Sequence, residues 1–268
     1  MQPGPIIGIV FALFAILVGN VLEGGHLGSI VGGPAALIVI GGTIGAVMVQ
    51  YPMSTLLEAV RAAGRTFKKP SQDGAKLIDE IVDYANRARK DGILALEKVA
   101  AGASDPFLAK ALMMAIDGAD STTLRETMEI AIGQQEEHGE DAAKAFEAAG
   151  GYCPTVGIIG AVLGLIHVMS NLSDIGAVGA GIAGAFVATI YGVAAANILF
   201  LPLGGRIKLR LREEITLKEL SLVGVLAIQE GMNPKLVRER LTEFVPHAKT
   251  AGHAAGGDAA RAAAPQSL

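Results

Sequence analysis

Hydrophobic positions along this chain are gathered into four long runs, and charged residues are almost confined to two stretches that lie between and after them. The first run, residues 3–22, reads PGPIIGIVFALFAILVGNVL. The second, roughly Ile30–Tyr51, contains IVIGGTIGAVMVQYP. The third and fourth, Pro154–Leu172 and Gly176–Pro202, form a hairpin whose only acid is Asp174 in the turn. A run of about 20 residues crosses a hydrocarbon core of about 30 Å at about 1.5 Å per helical residue. The pattern predicts an all-α integral membrane protein with four transmembrane helices. The first run lacks a basic leader and a second run follows at once, so we expect a retained span rather than a cleaved signal.

Between the second and third runs the period changes. Leu56, Leu57 and Val60, then Leu77, Ile78, Ile81 and Val82, then Leu94, Leu96 and Val99 recur at helical spacing among charged residues. This predicts four or five amphipathic helices in an insert. Asp105-Pro106 and Thr122-Thr123 look like helix starts, the second with Glu126 in a capping-box arrangement. After the hairpin, GGRIKLRLREEITLKEL continues as a helix to about Gln229, and Asn233-Pro234 opens a short one. The chain thus divides into 1–52 (helices one and two), 53–150 (cytoplasmic helical domain), 151–205 (helices three and four), 206–246 (cytoplasmic C-terminal helices) and 247–268, an Ala/Gly-rich tail expected to be disordered.

Small residues stripe the hairpin. Gly157, Gly160, Ala161 and Gly164 mark the third run, and Gly184, Ala188, Gly192 and Ala196 mark the fourth at i, i+4 spacing. Such stripes let helix backbones approach in lipid, where no hydrophobic force draws helices together. Thr189 breaks the apolar pattern in mid-helix. Its hydroxyl either bonds back to the Ala185 carbonyl or faces a wet path.

Composition agrees with the pattern and narrows the chemistry. Hydrophobic residues make up 51% of 268, mean hydropathy is +0.46 and Trp is absent. A net charge of −4 gives no reason to expect nucleic-acid binding. A single cysteine, Cys153, excludes an internal disulfide and reads as apolar filler. The five histidines, among them His138 and His167, lack metal-ligand spacing, and Glu136–Asp141 reads as a solvated helix face. No nucleophile, dyad, phosphate-binding loop or metal set is present at depth, so we expect no enzyme and no cofactor. No span carries Lys, Arg, Asp or Glu, and burying one costs about 2.5–3.5 kcal/mol, which membrane proteins accept where ions move. This chain alone cannot complete a proton path. Either it moves nothing, or a partner helix brings the carboxylate.

At this point a resemblance enters. The order of four spans with an insert between the second and third, together with Ile40–Thr43 (IGGT), Ala88–Glu97 (ARKDGILALE), Cys153–Asp174, Ala188–Lys208 and Gln229–Pro234 (QEGMNP), resembles the MotA/PomA stator proteins of bacterial flagellar motors. ExbB and TolQ proteins, with three spans and a differently placed insert, fit less well; an ExbB/TolQ-like energiser of an envelope process is the alternative. The resemblance implies a homo-oligomeric ring, a pentamer, around two copies of a MotB/PomB-type single-span partner whose membrane aspartate binds the coupling ion. Ion flow would turn the ring against the rotor switch complex. It also implies an ion path at Thr189, Ala161, Pro154 and Pro202, and rotor contacts at Arg89, Lys90 and Glu97. On a continuous helix those three charges share a face, although Gly92 interrupts the segment. Sodium-driven members carry threonine where this chain has Ala161 and Ala188, so protons are favoured over Na⁺ as the transported ion.

Topology follows from charge. The insert and the 206–246 segment hold nearly all the Lys and Arg, whereas the linkers Glu23–Ser29 and Asn171–Ala177 hold none. The positive-inside rule places both basic segments and both termini in the cytoplasm of a bacterial inner-membrane protein. Cysteines introduced at Gly25 and Gly118 should be labelled from outside and inside respectively; inside access at Gly25 would overturn this orientation.

Overall fold

A computed structural model describes residues 3–68, 73–170, 172 and 175–245. The tail 247–268, and Asn171, Ser173 and Asp174 of the Asn171–Ala177 turn, lie outside these residues. All regular elements among the described residues are helical. Helix α1 is Pro3–Leu22. Helix α2, Leu27–Gln50, is built from a 3-10 turn at Leu27–Ile30, a short α segment at Gly33–Ala36, a π-helical stretch at Leu37–Gly41 and an α segment at Gly42–Gln50. Then come α3 (Met53–Thr66), α4 (Gly74–Asp91), the short α5 (Glu97–Ala100) and α6 (Pro106–Ile116). Helix α7 is Ser121–Ser170, 50 residues in one piece. Helix α8, residues 175–229, joins α segments Ile175–Ala194 and Leu201–Gln229 through a π-helical stretch at Ala195–Phe200. Helix α9 is Pro234–Thr242. Four helices (α1, α2, α7 and α8) are long and apolar enough to cross a membrane.

Two compact units emerge from the contacts, and neither follows the compositional boundaries. The first comprises 1–69 and 137–211, the second 70–136 and 212–268. Residues 53–68 and 137–150 therefore pack with the apolar spans, although their charges place them in the polar insert. The cause is an alanine-rich polar-side contact: Ala59 and Ala63 of α3 are buried against Ala142, Ala145 and Ala143 of α7, with Ile207 of α8. Charged residues on the outer faces of the same helices leave composition blind to this packing.

In the first unit α7 and α8 meet backbone to backbone. A Cβ added at Gly192 would lie 2.7 Å from the Cys153 carbonyl oxygen and 3.1 Å from the Gly157 Cα. One added at Gly157 would lie 2.9 Å from the Ala188 carbonyl oxygen. Further along, Gly160 faces the Ala188 methyl, Gly164 faces Ala185 and Gly181 faces Val168. The α7 stripe is therefore as the spacing predicts. The α8 stripe holds at Ala188 and Gly192, with Ala196 buried in the same cluster, but not at Gly184: nothing lies within 4 Å of a Cβ there, and the contact row runs Gly181, Ala185, Ala188 and Gly192. A strict i+4 row drifts around a helix of about 3.6 residues per turn, so a contact face alternates steps of three and four. Helix α2 closes the seam, with Gly42 against Val156 and with Ala35 and Val39 in one buried cluster with Cys153, Val187 and Ala188.

Both helices continue through prolines. Pro154 lies inside α7, where its ring meets the carbonyl position of Gly150 and its nitrogen donates no bond. Neighbouring helices hold such a site in place within a membrane. Pro202 comes two residues after the π-helical stretch of α8, whose wider turn admits the ring without breaking the helix.

In the second unit Ile81, Leu108, Leu112, Leu124, Leu220 and Leu241 are at most 1% exposed and build the core. Helix α8 crosses α4 at Gly224, where an added Cβ would meet Ile81 at 2.7 Å. The caps at Asp105 and Asn233 hold the starts of α6 and α9 through the amides of Phe107 and Lys235. At α7 the Thr123–Glu126 capping box does not form. Asp120 is the cap instead, accepting from the Thr122 and Thr123 amides at 3.0 Å and from the Thr123 hydroxyl at 2.6 Å. These bonds, the Thr123 hydroxyl first, hold the Asp120 carboxyl below the ordinary aspartate value. The cap is at full strength above the unfolded-state pKa and weakens as acidification protonates the folded carboxylate.

The seam predicts opposite outcomes at two glycines of one helix. Gly192→Ala must move backbone and should lower the stability of the detergent-solubilised protein by about 1–3 kcal/mol. Gly184→Ala meets nothing within the chain and should stay within about 0.5 kcal/mol of wild type. Thermal unfolding followed by circular dichroism distinguishes them; equal losses would refute the assigned contact row.

Candidate functional site

Two of the sequence-derived path positions, Pro154 and Thr189, lie on the α7–α8 seam, and a third, Ala161, is next to it in sequence. Pro154 backs onto Gly192, its Cα 3.2 Å from a Cβ placed there. The Thr189 Cα lies 3.5 Å from a Cβ placed at Gly157, one turn along from Pro154. Ala161 follows Gly160 and is half-buried, as is Thr189. Pro202 stands apart. It is exposed at the other end of the fourth run and lines a cavity of about 370 Å³ with Pro5, Gly8 and Ile9 of α1 and Asn197 and Arg206 of α8.

Away from the ends of the apolar runs, the hydroxyls are those of Thr43, Thr189 and Tyr191. Thr43 is 1% exposed and donates to the Val39 carbonyl at 2.6 Å. Tyr191 donates to the Ile30 carbonyl at 2.7 Å and accepts from the Gly32 amide at 3.1 Å, tying α8 to the irregular start of α2. Thr189 bonds back to the Ala185 carbonyl at 3.5 Å, the outer limit of a hydrogen bond. Its oxygen is therefore the least committed of the three, and the most available to a water or a carboxylate. Both sequence readings of Thr189 are compatible with this weak bond. Tyr191 was not identified as a site residue, and its only sequence signal is a phenol inside an apolar run.

Cys153 is buried in the apolar cluster. Below the seam, Lys208 of α8 pairs with Glu147 of α7 at 2.7 Å, and the Arg206 guanidinium donates to the Thr66 carbonyl at 3.3 Å. The basic row after the fourth run is therefore partly engaged in packing. No cluster of His, Cys, Asp or Glu among the described residues could hold a metal ion.

In the second unit Arg89, Lys90 and Glu97 are all exposed, but they do not share one helix face. Helix α4 ends at Asp91, and Gly92 takes φ +84, a conformation that favours glycine. A 3-10 turn at Ile93–Leu96 then re-aims the chain before Glu97 opens α5. The acid is thus set by the break and the turn rather than by helical spacing. A carboxylate on α4 fastens the loop that follows: Glu80 accepts from the Tyr84 hydroxyl at 2.8 Å and from the Ser104 amide and hydroxyl at 3.0 and 2.5 Å. Burial, then the bond to Glu80, raises the pKa of Tyr84 above the ordinary tyrosine value. Lys235 and Arg238 of α9 line one groove with Arg89 and Lys90. Sequence reasoning missed them because the α4–α9 pairing joins residues far apart in the chain.

Comparison with known proteins follows this geometry closely. Residues 99–220 match the MotA/TolQ/ExbB proton channel family, and residues 6–92 match the motility protein A N-terminal family. Motility protein A of Bacillus subtilis is 34% identical over 247 residues, covering 92% of this chain and 92% of that protein. Chemotaxis protein PomA of Vibrio alginolyticus is 32% identical over 238 residues, covering 89% and 93%. Among solved structures, C. jejuni MotAB superposes with a TM-score of 0.87 at 33% identity, covering 91% of this chain and 96% of that one. The flagellar MotAB stator complex of Bacillus subtilis gives 0.85 at 34% identity, covering 93% and 98%. With an all-helical fold, four membrane-crossing helices and similarity along nearly its whole length, the chain belongs to the MotA/TolQ/ExbB proton channel family, on its motility protein A branch.

Proposed function

We infer that this chain is a stator subunit of the bacterial flagellar motor. It assembles with a MotB-type single-span partner into an ion channel and converts ion flow into torque on the rotor. The observation that carries this reading is the match over 91% of the chain to a MotAB structure. The spans supply the physical complement: they hold no acid, so a partner aspartate must provide the proton-binding group. The family is one of channel subunits rather than enzymes, and the chain takes no catalytic role of its own. The ExbB/TolQ alternative is set aside, because the relatives include motility proteins and the N-terminal match is to that branch.

In this reading the protein is a multi-pass inner-membrane subunit with cytoplasmic termini, in a pentameric ring around the partner. Thr189, loosely bonded at the seam, faces the permeating species. Ala161 and Ala188 offer no side-chain oxygen, and Ala188 is 1% exposed against Gly160 and α2. A dehydrated Na⁺ needs several oxygen ligands, whereas a proton handed to a carboxylate does not, which supports protons. Arg89, Lys90 and Glu97 are the exposed charges that engage the rotor switch complex.

Deleting the gene should abolish swimming, and the tagged protein should co-purify with a single-span protein bearing a membrane aspartate. Swimming by the deletion strain would refute the reading. Motility should persist when sodium is replaced by potassium and vanish when the proton-motive force is collapsed; a strict sodium requirement would overturn the ion assignment. Thr189→Val removes an oxygen worth about 0.6 kcal/mol on average in membranes. It should reduce torque in a tethered-cell assay more than it reduces assembly. Charge reversal at Arg89, Lys90 and Glu97 together should impair swimming while insertion and partner co-purification stay intact, and normal swimming of that variant would count against the rotor contact.

A further inference from the structure

The cavity at Pro202 lies within the first unit, between α1 and α8, and holds about 370 Å³. On α8 its lining runs from Asn197 to Arg206, about 13 Å of helix. On α1 it runs from Pro5 to Ala12, about 10 Å. It is therefore a slot along two membrane-crossing helices, in the direction an acyl chain takes. Gly8, Ile9, Ala12, Ile198 and Leu203 make its walls apolar. Among the described residues that line it there is no acid, and its cation, Arg206, stands where the basic row leaves the fourth run. The Arg206 guanidinium is oriented by the bond from its Nε to the Thr66 carbonyl. Helix α1 has no buried residue within the chain, so its contacts are left to what surrounds it in the bilayer. Asn197 is exposed inside an apolar run. Its Nδ2 donates one hydrogen to the Val193 carbonyl at 2.9 Å and carries a second. An amide at that depth needs an acceptor for it.

We propose that this slot binds one anionic phospholipid of the cytoplasmic leaflet. Its acyl chain lies between Gly8, Ile9 and Ile198, its phosphate meets Arg206, and an ester carbonyl accepts from Asn197. The choice of leaflet rests on the membrane orientation given above; the shape and charge of the slot do not. A free phosphate would satisfy Arg206 and leave the apolar walls uncovered, and apolar cavities do not retain water. A protein helix about 10 Å across would displace on the order of 1,000 Å³ over the same height, too much for the slot. A single acyl chain fits, and the anionic headgroup supplies the charge that Arg206 lacks among the lining. The lipid then packs α1 onto α8, a contact that the chain itself leaves open.

The test uses the full chain co-assembled with its membrane partner in phosphatidylcholine nanodiscs. The probe is phosphatidylglycerol with a photoreactive group in its acyl chain, and the same analogue of phosphatidylcholine is the control. After irradiation, peptide mass spectrometry should find the label on 5–12 and 197–203. The anionic analogue should label these segments about threefold to tenfold more than the control. Arg206→Gln should abolish that preference, whereas Lys208→Gln, outside the lining, should keep it. Because Arg206→Gln also loses the bond to Thr66, Gly8→Leu is the second variant. It keeps every charge, adds carbons where nothing lies within 4 Å, and should block labelling of both segments by either analogue. Equal labelling by the two analogues in the wild type would overturn the proposal. So would labelling unchanged in Gly8→Leu, or a preference lost as fully in Lys208→Gln as in Arg206→Gln. Millimolar inorganic phosphate should leave the label in place; displacement would show a site for a free anion and overturn the lipid.

Discussion

The seam between α7 and α8 depends on one constraint: two peptide backbones pass so close at Gly157 and Gly192 that neither position has room for a Cβ. Lipid offers no hydrophobic drive to bring helices together, so proximity must come from packing itself. Glycine permits that approach, and the neighbouring alanines extend it. The same closeness fixes which side chains are left over. Ala188 is consumed by packing, while Thr189, one position on, keeps a half-buried hydroxyl with only a loose internal bond. A tight seam with one weakly engaged oxygen is a wall for a path rather than a path in itself. In the proposed function the carboxylate comes from the partner chain.

Irregular helix is concentrated beside this seam. Helix α2 carries a π-helical stretch just before Gly42, which faces Val156 of α7, and α8 carries one just before Pro202. In both places a lone hydrogen-bond mismatch is absorbed inside the helix instead of ending it, as burial in lipid demands. Tyr191 does related work at the start of α2, where its hydroxyl serves both an orphan carbonyl and an orphan amide.

The second unit obeys different rules. Its core is leucine and isoleucine, its helix starts are capped by Asp105, Asp120 and Asn233, and its turns use glycine at positive φ, as at Gly92. Water supplies the hydrophobic drive here, so charges can be left on the surface at small cost. They are not spread evenly: α4 and α9 gather cations along one groove.

Periodicity and composition alone determined the helical class, the four spans, the α7 stripe, the caps at Asp105 and Asn233 and the end of α8 at Gln229. Each depends on local hydrogen bonding or on the length of an apolar run, which neighbouring residues specify. Membership of a stator family was also legible, in short motifs spread along the chain. Tertiary structure alone decided the rest. It chose Gly181 and Ala185 over Gly184 for the seam, because a contact face is set by the partner helix and not by a strict i+4 count. It made Asp120 the cap of α7, since the earlier side chain reached the free amides first. It moved 53–68 and 137–150 into the unit of the spans through alanine contacts that charge counting cannot see. It separated Pro202 from the other path positions, broke the helix between Lys90 and Glu97, and brought Lys235 and Arg238 to Arg89. Those last placements join residues distant in sequence, and only the packing of helix against helix carries that information.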